Sequence, residues 1–253
     1  MQLQLRMFPK YSNGLQLSIT MCVNYTPTRA DRLKIITAER ISEQLLSGLS
    51  REDNSIHREA FPGYLAPILR ADPEAADDGW RVDIAVFGLI PFFAKDRTFA
   101  RRTYNARSET VAEKPSYRGP WGRRQFCLVP MENFYEPNWE TGKAVRCKIH
   151  RSDDAPFTVA AIWDTWTDRA TGEVVPSFSM LTINADGHPV MGRFHKAGDE
   201  KRSLVIVPPE HRSNWLSADT TWAQQAMLHE MPVAEFTAEA SPSPPRAAVP
   251  EAA

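Results

Sequence analysis

Cysteine is scarce in this sequence. There are three in 253 residues, Cys22, Cys127 and Cys147, far apart and with no C-x-x-C spacing. That argues against a disulfide framework and a zinc ribbon, and points to a reducing compartment. The six histidines are scattered and lack ligand spacing with the cysteines, so no metal site is expected. No apolar run is long enough to span a bilayer. The first twenty residues lack the unbroken apolar core of a signal peptide. The expectation is a cytoplasmic protein with no membrane partner. Net charge is nearly absent as well, −1 at pH 7, which argues against a chain-wide basic nucleic-acid binder and leaves room for a local basic face.

What is present is enough apolar sequence for a good core: 42% hydrophobic, 10% aromatic, over a length that suits one large domain with tails. No internal repeat is found. From Thr28, with Thr26 or Thr28 as cap, Leu33, Ile36, Ile41, Leu45 and Leu46 predict a helix to about Leu49. Residues 50–63 read as a loop ending in the turn Phe61-Pro62-Gly63-Tyr64, and residues 71–79 as an acidic surface loop. Val82, Ile84 and Val86 alternate into Phe87-Gly88-Leu89-Ile90-Pro91, a strand stopped by proline. Short apolar runs at 126–129, 145–149, 157–163, 178–183 and 204–207, with loops at 138–143, 168–173 and 186–189, predict a β-rich body. Weak helical patterns follow at 211–216 and 220–228. From Thr237 the chain is rich in Pro, Ala and Ser and is expected to be disordered.

Residues 95–124 stand out by charge. They hold nine basic residues against three acidic ones, a local net of +6, with Phe99, Tyr104, Tyr117 and Trp121 interleaved. Such runs are usually solvated faces. Here the arginine bias and the aromatics also suit phosphate binding and stacking of unpaired bases.

Met21-Cys22 is the most telling pair. If translation begins at Met21 and the methionine is removed, Cys22 carries a free α-amine beside its thiol. Amine and thiol on adjacent carbons condense with an aldehyde, first to an imine and then to a five-membered thiazolidine. An internal cysteine cannot do this, because its nitrogen is a planar amide. Residues 1–20 are either a genuine extension or an over-extended start. The expected organisation is therefore an extension over 1–20, one domain over 21–236 and a tail over 237–253.

Asn105, Glu136 and His195 complete a set of candidates. Taken singly, each has an ordinary structural reading. Together with Met21-Cys22, Phe87-Gly88-Leu89-Ile90-Pro91 then Ala94-Lys95-Asp96, Asn105-Ala106-Arg107-Ser108-Glu109-Thr110, Cys127-Leu128-Val129-Pro130 and Phe134-Tyr135-Glu136, the chain resembles the SRAP (SOS-response-associated peptidase) family from Met21 to about Leu216. The resemblance implies an α+β fold that is mostly β, compact and barrel-like, with a few peripheral helices. It implies an enzyme that processes abasic sites without a cofactor: the cysteine captures the ring-opened aldehyde in single-stranded DNA as a covalent thiazolidine crosslink. It carries over Cys22 as nucleophile and amine, Asn105 as its orienting group, Glu136 as proton carrier, His195 as a second acid or base, and Arg107 on a flanking phosphate. The remaining DNA contacts are expected at Phe87, Lys95, Arg101 and Arg102, in a monomer.

Some positions depart from the family pattern. Val23-Asn24 stand where Gly-Arg is usual, Phe87 and Pro137 where tryptophans are usual, and His195-Lys196-Ala197-Gly198-Asp199 where His-x-Arg-Met-Pro is usual. The reactive atoms survive; the grip on DNA is what changes. Two other functions remain open: a thiol peptidase or amidase acting first on the bond before Cys22, and a non-covalent single-strand-binding module.

Overall fold

A computed structural model describes residues 24–37, 59–74, 79–217, 224, 228 and 232–242. Ten strands are described. β1 (Asn24–Pro27) precedes the helix α1 (Ala30–Thr37). Then come β2 (Leu65–Ala71), β3 (Trp80–Phe87), β4 (Asn105–Arg107), β5 (Phe126–Asn138), β6 (Val145–Arg151), β7 (Phe157–Thr167), β8 (Val174–Asn184), β9 (Arg202–Leu204) and β10 (Phe236–Ala240).

Five strands close on themselves. β5 pairs β2, β2 pairs β3, β3 pairs β8 in parallel, β8 pairs β7, and β7 returns to β5. Closure removes sheet edges. The alternation of side chains along these strands then sorts the core into two sets. Ala66, Ile68, Ala85, Phe87, Cys127, Val129, Val159, Ala161, Phe178 and Met180 belong to one cluster. Leu69, Leu128, Ala160, Ile162 and Leu181 belong to a second, together with Leu33 and Ile36 of α1, Trp121 of the short helix Arg118–Gly122 and Trp215 of the short helix Arg212–Ser217. The helices therefore cover the outside of the ring, and the first set fills its interior.

β5 is the long member and serves two sheets. Its first half, Phe126 to Met131, pairs β7; its second half, Asn133 to Asn138, pairs β6, with β1 on its other edge from Asn24↔Tyr135 to Pro27↔Met131. Thr28 N–H donates to the Pro130 carbonyl at 3.1 Å and fastens the turn from β1 into α1.

Several expectations shift. The chain forms the expected mostly-β barrel, but β2 was not anticipated, because Pro67 interrupts its pattern. It is tolerated because β2 meets β5 only at Leu69. The strand expected over 126–129 continues to Asn138, so Glu136 lies on a strand. The tail begins later than Thr237: Phe236–Ala240 is β10, paired along β6 from Arg151 to Cys147, and Phe236 is buried against Phe157 at 5.0 Å. A single buried ring anchors a strand whose composition alone would not. Of the first predicted helix, 30–37 is observed and 38–49 lies outside the described residues; of the second weak helix, only 224 and 228 lie inside them. No helix among the described residues is long and apolar enough to cross a membrane.

One backbone position is tightly constrained. Gly88, at φ +109°, leaves β3 so close to Ala100 that an added Cβ would stand 2.0 Å from the Ala100 carbonyl oxygen. Gly88→Ala meets both a clash with backbone and a disfavoured φ. It should destabilise the fold by more than about 3 kcal/mol, in the range reserved for such backbone insults. A chemical denaturation midpoint unchanged from wild type would contradict this packing.

Candidate functional site

Two of the sequence candidates come together at the far end of β5. Glu136 is on the strand, opposite Cys147 of β6, and is 3% exposed. His195 is 2% exposed, with Nδ1 3.8 Å from Glu136 Oε2. The loop carrying His195 is stitched to the end of the strand. His195 N–H donates to the Pro137 carbonyl at 3.1 Å, and Phe194 bridges Asn138. His195 takes φ +65°, a left-handed conformation uncommon for residues other than glycine. Lys201 Nζ holds that turn by donating to the carbonyls of His195 and Lys196, both at 2.9 Å.

The imidazole is oriented by its second nitrogen. Nε2 lies 3.4 Å from the Arg202 carbonyl. A carbonyl only accepts, so the proton of the neutral ring is assigned to Nε2, and the Nδ1 lone pair turns toward the Glu136 carboxyl. Burial pushes the His195 pKa below its ordinary value. The pair is thus a buried carboxyl and a buried imidazole that face each other at 3.8 Å, beyond hydrogen-bond distance.

Arg202 was not among the sequence candidates, yet it anchors this loop. It is 3% exposed. Nη1 and Nη2 donate to the two carboxylate oxygens of Glu109 at 2.8 Å each, Nη1 also meets Glu200 at 2.9 Å, and Nη2 donates to the Thr182 carbonyl at 2.7 Å. Glu200 in turn pairs with Arg107 at 2.7 Å. The Asn105–Glu109 motif and the His195 loop, ninety residues apart in sequence, are therefore tied into one ion-pair network over β8. Arg107 is half-exposed and shares its charge with Glu200, so an incoming phosphate has to compete for it.

Asn105 stands on β4 beside Met180 of β8, nearly buried, and its carbonyl accepts from the Tyr117 hydroxyl at 3.0 Å. Cys22, with Met21 and Val23, lies outside the described residues. The first described residue after it, Asn24, pairs with Tyr135, next to Glu136 in β5. Asn24, in the place of the usual arginine, donates to Glu59 at 2.6 Å; Glu59 pairs with Arg146 at 2.5 Å, and that guanidinium lies 3.4 Å over the Tyr135 ring. Neither Glu59 nor Arg146 was singled out from sequence, and Tyr135 entered only as part of the Phe134-Tyr135-Glu136 motif.

The expected DNA contacts divide. Lys95, Arg101, Arg102 and Arg107 are exposed. Phe87 is not: it is fully buried inside the barrel, stacked on Phe178 at 5.4 Å and edge-on to Tyr25 at 5.2 Å. Its alternation with Ala85 on β3 puts it inward, so its role as a base-contacting residue is withdrawn. Trp121 likewise is core, 3% exposed. Among the described residues, the exposed rings are Phe61, Tyr64, Phe92 and Phe93. Among the described residues, no group of three or more His, Cys, Asp or Glu is arranged to hold a metal ion.

This fold and motif order define a family. The SOS response associated peptidase (SRAP) description matches residues 21–242, and the chain belongs to that family. Its relatives include the abasic site processing protein YoaM of Bacillus subtilis, 29% identical over 136 residues, which cover 53% of this chain and 56% of YoaM. They also include the abasic site processing protein HMCES of Mus musculus, 25% identical over 64% of this chain and 52% of that protein. The chain thus spans about half the length of the curated relatives it matches. A crystal structure of a Bordetella bronchiseptica protein superposes with a TM-score of 0.74 at 30% identity, covering 88% of this chain and all of that one. One from Bacteroides thetaiotaomicron, at 24% identity and TM-score 0.69, shares the fold over 87% of this chain and 91% of its own.

The buried imidazole has a pH signature. Free histidine titrates near 6.5, and His195 in the fold titrates lower. Below about 6.5 the unfolded chain takes up a proton that the folded chain refuses, so stability should fall on acidification through that window, by up to one proton's worth of slope. His195→Gln should flatten that part of the profile. An identical slope in the variant would mean that other groups carry it.

Proposed function

We propose that this protein captures abasic sites in single-stranded DNA by a covalent thiazolidine link to Cys22, protecting the lesion during the response to DNA damage. The observation that carries the reading is the buried Glu136–His195 pair, 3.8 Å apart on the strand that receives β1 just after Cys22 in sequence. Family membership supports it, and so do the names of the relatives.

The chemistry runs in two condensations. The α-amine of Cys22 adds to the aldehyde carbon of the ring-opened sugar, and water leaves to give an imine. The thiol sulfur then adds to the same carbon, and the imine nitrogen takes up a proton as the ring closes. Loss of water needs an acid, and activation of sulfur needs a base; a carboxyl and an imidazole in a dry site serve both near neutral pH. Asn105 orients the amine or the opened sugar, and Arg107 takes a neighbouring phosphate. The mechanism demands a free amine on Cys22. The working domain therefore starts at Met21 with the methionine removed, or residues 1–20 are cut away.

The test uses two versions of the chain, begun at Met1 and at Met21, each measured by intact mass. Each is then mixed with single-stranded DNA bearing one abasic site and run on a denaturing gel. The version with Cys22 exposed should give a shifted band that Cys22→Ser abolishes. Glu136→Gln or His195→Ala should slow its formation by about 10²- to 10⁴-fold, the usual worth of an acid–base group. A heat-stable adduct with Cys22→Ser sinks the proposal. Loss of residues 1–20 from the Met1 version, abolished by Cys22→Ala, would instead assign self-cleavage to the same cysteine.

A further inference from the structure

Arg212 is a second buried guanidinium, 6% exposed, at the start of the short helix Arg212–Ser217. Its Nε donates to the Thr158 hydroxyl at 3.1 Å, and its Nη1 donates to the Ile36 carbonyl at 3.1 Å. Thr158 gives its own proton to the Val207 carbonyl at 2.8 Å, which leaves its lone pairs for Arg212. The Ile36 carbonyl belongs to the last turn of α1, where carbonyls lack partners within the helix. Both acceptors are neutral. Among the described residues, Arg212 forms no ion pair with a carboxylate, whereas Arg202 forms two.

A charge taken out of water without a counter-charge is costly. The titration of Arg212 reflects this: burial, and after it the neighbouring Arg151 charge, lower its pKa to about 10. At neutral pH it is still a cation. Neither of its two bonds needs that charge, since an amide side chain also donates to a hydroxyl or a carbonyl. Of the five guanidinium donors those bonds use two, and Nη2 makes none among the described residues.

Arg212 lines a cavity of about 420 Å³, within the range of about 300 to 1,000 Å³ common for small-molecule sites. The apolar walls include Ile35, Trp80, Pro156 and Pro209. Arg151 also borders the cavity, but its guanidinium is taken by Asp153 at 2.9 and 2.7 Å and by Glu235 at 2.5 Å. Glu210 stands exposed on the border. One uncompensated cation, an acid at the rim and apolar walls suit a monoanion with an apolar body better than a doubly charged phosphate. The cavity is also apart from the Glu136–His195 pair. Trp80 and Ile36 belong to the outer core set, and Thr158 pairs Pro130, six residues along β5 from Glu136, or about 20 Å in an extended strand.

We propose that this cavity is a binding site for a small organic carboxylate with an apolar body, the carboxylate on the Arg212 guanidinium and the body against Trp80, Ile35 and the two prolines. The site needs neither DNA nor the Cys22 thiol, so it stands or falls separately from the covalent reading.

The experiment is equilibrium dialysis of the full chain against 1-naphthoate and against 1-naphthamide, which has the same shape and no charge. Naphthoate should bind, and naphthamide about 10- to 100-fold more weakly, the typical effect of a hydrogen bond to a charged group. Arg212→Gln keeps a donor for Thr158 or Ile36 and removes the charge; it should bring naphthoate affinity down to that of naphthamide. Ile35→Glu decides the matter if the Arg212 variant fails to fold. Ile35 is 58% exposed, so thermal melting should show a folded protein. A carboxylate on that wall should weaken naphthoate by about 5-fold or more through like-charge repulsion, with naphthamide unaffected. Absence of naphthoate binding at millimolar concentration overturns the proposal. So does equal affinity for naphthoate and naphthamide, or wild-type naphthoate affinity in either folded variant.

Discussion

A buried guanidinium needs acceptors, and Arg202 finds them for both of its terminal nitrogens. Removing a charge from water is expensive, and only well-aligned partners offset the cost. Arg202 finds a two-pronged match in Glu109, a second carboxylate in Glu200 and the carbonyl of Thr182. Each partner comes from a different part of the chain: the segment after β4, the loop before β9, and β8 itself. Satisfying one side chain therefore fixes three backbones relative to one another. The carbonyl of the same residue then faces the His195 ring. The left-handed turn at His195, which local sterics disfavour, persists because Lys201 and the Arg202 network hold both of its sides.

The length of β5 does the complementary work. A strand that ended at Pro130, where the first apolar run stops, would close the barrel and nothing more. Thirteen residues carry it past the ring, where it exchanges β7 for β6 and takes β1 on its other edge. Glu136 then lies opposite Cys147 of β6, next to the residue that pairs with Asn24, and is buried. Burial lowers the pKa of the imidazole that faces it. The barrel gives that pair a rigid floor: Phe134 and Phe194, immediate neighbours of the segment, are both in the interior cluster.

Much of this was legible in the sequence, and the failures are instructive. The strand runs were read from alternation, and Glu136 and His195, singled out by their motifs, lie 3.8 Å apart in the fold. Phe87 and Trp121 were misread because an aromatic beside basic residues looks the same whether it faces a base or a core. Only the parity of β3, set by its pairing with β2, turns Phe87 inward. β2 was not read at all, and its Pro67 is tolerated because the missing N–H matters only if a neighbour needs it. Arg202 was invisible for a different reason. Its importance lies in partners twenty and ninety-three residues away, and no local spacing encodes that. The 22nd residue, on which the proposed chemistry turns, was legible only as chemistry: a thiol and an amine on adjacent carbons.

The departure at Asn24 now has a physical account. An arginine there would add a cation at the start of β1. Asn24 instead donates to Glu59, and Glu59 is taken up by Arg146, itself laid on Tyr135. Charge at that point is internally balanced, and long-range attraction for a phosphate is weak there. Arg107 is similarly shared with Glu200. Further along the chain than Asn24, Lys95 and Arg102 are exposed cations.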